Sequence, residues 1–217
     1  PQKGLLAPGE FIEIAEESGL IVEIGQWVFH QVCKQLSTWS KKQETKHLTV
    51  AVNINEQQIS RINFVEMVNH AIESNQCPPN RLEIEITESL LMKNLDETVI
   101  KINQLKELGI TFAIDDFGTG YSSLSYLNYF PIGILKIDRS FVSDMHSNEG
   151  SMALVKSIIG LGKNMKMKII AEGVEHQEEA KALKDLGCDM AQGYYFARPM
   201  PEADVTKFIA QAGTIEF

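Results

Sequence analysis

Six short apolar runs divide this chain, and after nearly every one the apolar spacing switches from continuous to helical. The runs are Leu48 to Val52, Leu82 to Ile86, Thr111 to Ile114, Ile134 to Asp138, Met167 to Ala171 and the stretch through Met190, Ala191 and Gln192. Each is short enough for a strand, and none approaches the roughly 18 apolar residues needed to span a bilayer. Apolar stripes at helical spacing stand around them. One holds Phe11, Ile14 and Ala15, ended by Gly19, and another Ile24, Val28, Val32, Leu36 and Trp39. The rest are Phe64, Val68, Ala71 and Ile72; Leu95, Val99 and Ile102; Val155, Ile158 and Ile159; Ala180, Leu183 and Leu186; and Val205, Phe208 and Ile209 after Pro201. Strands alternating with helices predict an α/β fold with a parallel sheet. With 217 residues, 44% of them hydrophobic, and no Pro/Gly/Ser-rich linker, the expectation is one domain over 1–217.

The carboxyl ends of these runs carry Asn53, Glu85, Asp115 with Asp116, Lys136, Glu172 and Gln192. Any one of them alone has an ordinary reading: Asp, Asn and Ser are turn and cap residues, and Asp115 or Asp116 could simply cap the glycine-rich turn Phe117 to Tyr121. A polar group at the end of every strand is harder to attribute to chance. Parallel sheets gather ligands at those ends, and a closed barrel does so from all its strands, whereas an open sheet uses only the loops beside its switch point. The distribution favours a TIM-like (β/α) barrel. Six strands fall short of eight, and the length is below the ~250 residues typical of that fold, so the missing first strand or strands are expected before Pro1.

Asn53, Glu85, Asp115 and Asp116 offer hard oxygen donors, which suit magnesium or manganese rather than zinc or copper. Adjacent aspartates can bind one ion each, as in two-metal phosphodiester chemistry. Lys136 could hold a phosphate oxygen or an attacking water, and Glu172, with Glu175 one turn on, could ligate or accept a proton. A buried ion pair is an equal reading of Lys136, while a Schiff-base role is disfavoured because nearby acids raise a lysine pKa. The loop Phe117-Gly118-Thr119-Gly120-Tyr121 is a poor dinucleotide fingerprint, since the third glycine position holds Ser123. A net charge of −9 argues against tracking long nucleic acid. Cys33, Cys77 and Cys188 form no Cys-x-x-Cys pair, and His30, His47, His70, His146 and His176 have no zinc-site spacing. A reducing cytoplasm fits this cysteine usage.

These residues, taken in order, resemble the EAL family of bacterial cyclic di-GMP phosphodiesterases. The matching blocks are Pro8 to Ile12, Val52-Asn53, Glu85 to Ser89, Asp115 to Leu124, Leu135 to Asp138, Ala171 to Glu175 and Gln192 to Tyr194. The resemblance implies hydrolysis of cyclic di-GMP to linear pGpG with Mg2+ or Mn2+. It makes Asn53, Glu85, Asp115 and Asp116 metal ligands and has Lys136 and Glu172 assist the attacking water. Glu88 would steady the loop after Asp116, and Glu175 and Gln192 would lie in the substrate pocket. It further implies a homodimer formed near the region from Asp116 to Phe130, in a parent chain with sensory or cyclase domains that is sometimes membrane-anchored. The family's Glu-Ala-Leu tripeptide and a following arginine would precede Pro1, so the expectation is an active parent and an impaired fragment. Asn55 stands where serine is usual, and Gly133 where aspartate is frequent. A cyclic di-GMP receptor that binds without cutting is the alternative.

Overall fold

The structure, a computed structural model, describes residues 4, 6–91, 93–119, 127 and 129–212. Its strands are β1 (Val50–Asn53), β2 (Leu82–Thr87), β3 (Thr111–Phe117), β4 (Ile134–Ile137), β5 (Lys168–Ala171) and β6 (Met190–Ala191). They form one sheet in the order β1-β2-β3-β4-β5-β6, every neighbouring pair parallel. Sequential order with parallel pairing requires a crossover between each pair, and this curled half-barrel is the TIM-like α/β architecture that the strand–helix alternation predicts.

The helices are α1 (Ile12–Glu17), α2 (Ile21–Ser40), α3 (Glu56–Ile59), α4 (Phe64–Asn75), α5 (Glu88–Leu91), α6 (Leu95–Glu107), α7 (Arg139–Asp144), α8 (Glu149–Asn164), α9 (Gln177–Asp185) and α10 (Glu202–Ala212). Among the described residues no helix is long and apolar enough to cross a membrane.

Alternation along the strands separates two apolar layers. Val52, Ile84, Ile86, Phe112, Ile114, Leu135, Ile137, Ile169 and Ala171 join the large core shared with the helices. The intervening Ala113, Ile134 and Ile170 form a small second cluster on the other face of the sheet. At ~1.5–3 kcal/mol per buried aliphatic or aromatic side chain, the helix-facing layer dominates the stability. The opposite face holds few apolar side chains, so the polar groups among them stand out.

Three details differ from the sequence expectation. Leu48 and Thr49 precede the first strand, because the Leu48 amide donates to Thr45 O at 3.0 Å and keeps the chain in a turn until Val50. From Ile21 to Cys33 the buried face of α2 is rotated by one residue from the expected stripe, to Ile21, Gly25, Phe29 and Cys33, with Ile24, Val28 and Val32 only half-buried, whereas Leu36 and Trp39 are buried as expected. Gly25 explains the rotation: a Cβ there would lie 1.7 Å from Gln58 Nε2, so the absent side chain lets Gln58 reach Ile21 O at 3.3 Å. The short helices α3, α5 and α7 were not expected. Asn55 caps α3, accepting from the Gln58 amide at 3.0 Å while its own amide donates to Gln58 Oε1 at 2.8 Å. Asn and Ser are near-equivalent in that role, so the serine-to-asparagine difference is absorbed locally. Much of the expected dimer segment, Asp116 to Phe130, lies outside the described residues.

Candidate active site

Carboxylates from three strand ends converge on one ammonium group. Lys136 lies in β4, only 3% exposed, and its Nζ stands 2.6 Å from Glu85 Oε1, 3.0 Å from Asp115 Oδ1 and 2.6 Å from Glu172 Oε1. Glu85 comes from β2, Asp115 from β3, and Glu172 immediately follows β5. The outer strands join by hydrogen bonds. Asn53, the last residue of β1, donates its amide to Glu85 Oε2 at 2.9 Å, and Gln192, just after β6, donates to Glu172 Oε1 at 2.5 Å. A continuous polar chain thus crosses the rim of the sheet, as the strand-end residues predicted.

Asp115 and Asp116 serve the same side because the strand is irregular there. From Ile114 to Phe117 the pairing advances three residues on β3 against two on β4, so one residue is extra. Asp116 takes a left-handed φ of 52°, a conformation Asp tolerates better than most residues. In a regular strand its side chain would point to the opposite face. Here Asp115, Asp116 and Glu172 each bring one carboxylate oxygen within 4.8 Å of the others. Gly118, at φ 97°, completes the turn, and its amide donates to Glu88 Oε2 at 3.3 Å. Glu88 therefore touches the loop after the aspartates and not the carboxylate cluster.

The electrostatics are one-sided. Glu85, Asp115, Asp116 and Glu172 share a single ammonium. Burial opposes charge on Lys136, but Glu85 and Glu172 together outweigh it and raise its pKa. Burial pushes Glu172 up to about 7, the attraction of Lys136 offsetting only part of it. Burial raises Asp116 as well, reinforced by the charges of Asp115 and Asp138. Asp115 Oδ1 is buried and accepts no hydrogen bond, facing Lys136 only as an ion pair. Excess negative charge and an all-oxygen donor set centred on Asp115 and Asp116, with a Glu172 oxygen within 4.8 Å of both, fit a hard divalent cation.

Glu175 and Gln192 stand at the wall of an open cleft of about 970 Å³, shared with Arg139, Tyr194, Arg198 and, from α10, Phe208. The guanidinium of Arg198 lies 4.5 Å from the centroid of the Tyr194 ring. The Glu175 side chain is exposed, and its amide donates to Glu179 Oε2 at 2.8 Å.

Against this geometry the comparisons with known proteins fall into one group. The EAL domain family profile matches residues 1–199. The chain belongs to the EAL domain family. Among relatives of this EAL domain, Signaling protein YkoW of Bacillus subtilis is 42% identical over 211 residues, covering 97% of this chain and 26% of that protein. The bifunctional diguanylate cyclase/cyclic di-GMP phosphodiesterase MucR of Pseudomonas aeruginosa is 39% identical, covering 97% of this chain and 30% of that protein. A solved structure described as the PaMucR phosphodiesterase in complex with c-di-GMP aligns with a TM-score of 0.91 at 39% identity, covering 94% of this chain and 83% of that one. The EAL domain described here thus spans between a quarter and a third of the curated relatives it matches.

Three residues of this EAL domain escaped the sequence reading. Glu83, 8% exposed, lies two residues before Glu85 in β2, and burial together with the charge of Glu85 pushes it up to about 7. Asp138 caps α7, accepting from the Ser140 amide at 2.9 Å and the Ser140 hydroxyl at 2.5 Å. Burial would raise it, but those bonds and one from Asp116 hold it below its usual value. Arg139 follows it into the cleft wall. The signal for two of them was period two: Glu83 precedes a site residue by two and Asp138 follows Lys136 by two, whereas Arg139 carried no such signal.

Proposed function

We propose that this domain hydrolyses one phosphodiester of cyclic di-GMP to linear pGpG. The observation that carries the reading is the Lys136 ammonium at the centre of Glu85, Asp115 and Glu172, with Asp116 beside them: four carboxylates and one positive charge at one rim. Such a rim repels a phosphodiester until further positive charge is present. Magnesium or manganese, held by Asn53, Glu85, Asp115 and Asp116, would supply that charge, orient the phosphate and make water more acidic.

The chain's own residues do the rest. Glu172, with a carboxyl poised to about 7 by burial, accepts the proton of the attacking water. Lys136 stays protonated, because Glu85 and Glu172 outweigh its burial, and it positions the water while offsetting charge that builds on the phosphate. Gln192 fixes one Glu172 oxygen and leaves the other to receive the proton. Glu88 holds the Gly118 amide and with it the turn that aims Asp116. Glu175 and Gln192 mark the substrate pocket, where Arg139 and Arg198 bring positive charge suited to phosphates. Residues 1–217 are read as one EAL-type domain of a longer cytoplasmic signalling protein with sensory or cyclase domains, in keeping with the share of the relatives it spans.

The deciding experiment is incubation of the protein, within its natural full-length chain, with cyclic di-GMP and Mn2+, followed by nucleotide chromatography. Accumulation of pGpG supports the reading, and binding with unchanged nucleotide overturns it in favour of a receptor. The receptor alternative draws on one observation: Lys136 already closes three ion pairs and holds the rim together unaided.

A further inference from the structure

A second buried lysine stands outside the rim. Lys101 lies on α6, 7% exposed, and its Nζ donates to Ile59 O at 2.7 Å and Arg61 O at 3.0 Å, with Glu97 Oε1 at 2.5 Å as the countercharge. Ile59 ends α3, a helix of four residues, and Arg61 follows it in the turn toward α4. One turn of helix is too short to hold itself, and its last carbonyls have no partner inside the helix. An ammonium at that end satisfies them and complements the helix dipole. The other end of α3 is tied as firmly. Asn55 and Gln58 exchange hydrogen bonds across it, Gln58 reaches Ile21 O on α2, and the Ile59 amide donates back to Asn55 O at 3.2 Å. Asn53 lies two residues before this cap, and between them the Ile54 amide donates to Glu85 O at 3.0 Å.

We propose that Lys101 is a positioning residue for the metal site: by pinning the carboxyl end of α3 it fixes where Asn53 points. This rests on the reading of Asn53 as a metal ligand given above. Asn53 Nδ2 donates to Glu85 Oε2 at 2.9 Å, which leaves Oδ1 as the acceptor that can face a cation. Hard divalent cations hold their oxygen ligands within narrow distances, magnesium at ~2.0–2.1 Å, so a sub-ångström shift of the backbone that carries the ligand weakens binding. Lys101 touches neither Asn53 nor substrate. It acts through one short covalent path, from the Ile59 carbonyl back through α3 to Asn53, and burial makes that path stiff. A buried ammonium loses more by leaving its acceptors than an exposed one does, because no water replaces them. Lys207 shows the contrast: its bond to Asp204 at 3.0 Å joins two exposed side chains of one helix, and water can take its place.

Calorimetric titration of the folded protein with Mn2+ tests this. Lys101→Met should weaken Mn2+ binding by about tenfold, the low end of what removing a ligand's supporting group costs. Val155→Ala, which opens a cavity in the core beneath α8, is the control for general destabilisation and should bind Mn2+ as the wild type does. Should Lys101→Met fail to fold, Lys101→Gln, which keeps an uncharged donor, carries the same comparison with a smaller loss. In turnover of cyclic di-GMP the Lys101 variant should need more Mn2+ for half-maximal rate yet reach the wild-type kcat at saturation. Equal Mn2+ affinity in Lys101→Met and Val155→Ala, with Asn53→Ala weakened, would overturn the positioning role alone. Asn53→Ala binding Mn2+ as tightly as the wild type would remove the metal reading of that residue and this inference with it.

Discussion

Gln192 donates to Glu172 Oε1 at 2.5 Å, on the same oxygen that Lys136 approaches at 2.6 Å. One atom is thus fixed from two strands, and the second Glu172 oxygen is left for a ligand or a proton. A hydrogen bond to a charged group contributes ~1.5–3 kcal/mol, so Gln192→Ala should lower turnover by about tenfold or more. Steady-state assays should place the loss mainly in kcat. An unchanged kcat with a raised KM would assign Gln192 to substrate binding alone.

Glu172→Gln keeps the shape and both neighbours but cannot take a proton. Loss of a general base costs ~10²–10⁴-fold in rate, and nucleotide chromatography should show a fall of that order. Binding of cyclic di-GMP, followed by calorimetry, should survive. Retained turnover would move the proton acceptor elsewhere.

Removing the central ammonium leaves buried carboxylates facing each other. Lys136→Met should destabilise the metal-free protein by about 3–5 kcal/mol, the usual cost of leaving a buried ion pair without one partner. Mn2+ should recover part of that loss in urea unfolding, because it replaces the missing charge. A variant as stable as the wild type would mean that the acids are protonated in the folded protein.

Asp115 Oδ1, buried without a hydrogen bond, gives cation binding its clearest readout. Mn2+ at ~100 times its dissociation constant should stabilise the wild-type protein by about 2.7 kcal/mol and raise its melting temperature. Asp115→Asn should abolish most of that rise while leaving the metal-free melting temperature near the wild-type value.

The acids also set a pH dependence. Glu83 and Glu172 are both raised to about 7 in the folded chain from an ordinary 4.5. Between those values the folded state holds protons that the unfolded state has released, so their stabilising contribution is complete below pH 4.5 and is lost as pH rises through 7. Glu83→Gln removes one of the two sources. The difference in stability between wild type and variant should therefore slope with pH across 4.5 to 7 and be flat outside that window.

The layout was legible where periodicity and strand ends carried it. Asn53, Glu85, Asp115, Lys136, Glu172 and Gln192 form one chain of contacts because parallel strands in sequential order place their carboxyl ends on one rim. What stayed hidden depended on tertiary partners. The face of α2 follows from Gly25 making room for Gln58, a residue more than thirty positions away. Glu83 reads as the exposed half of an alternating strand, yet it is buried because its side of the sheet is concave.

The extra residue in β3 makes the length of that segment a chemical requirement. Exchanging one side chain at Asp116 alters a charge, but deleting a single codon between Ile114 and Phe117 would remove one of the two aspartates and restore regular alternation around the other. Sequence drift can be tolerated at many positions in this sheet, whereas a frame-preserving deletion there would disassemble the acidic pair while leaving the overall architecture standing.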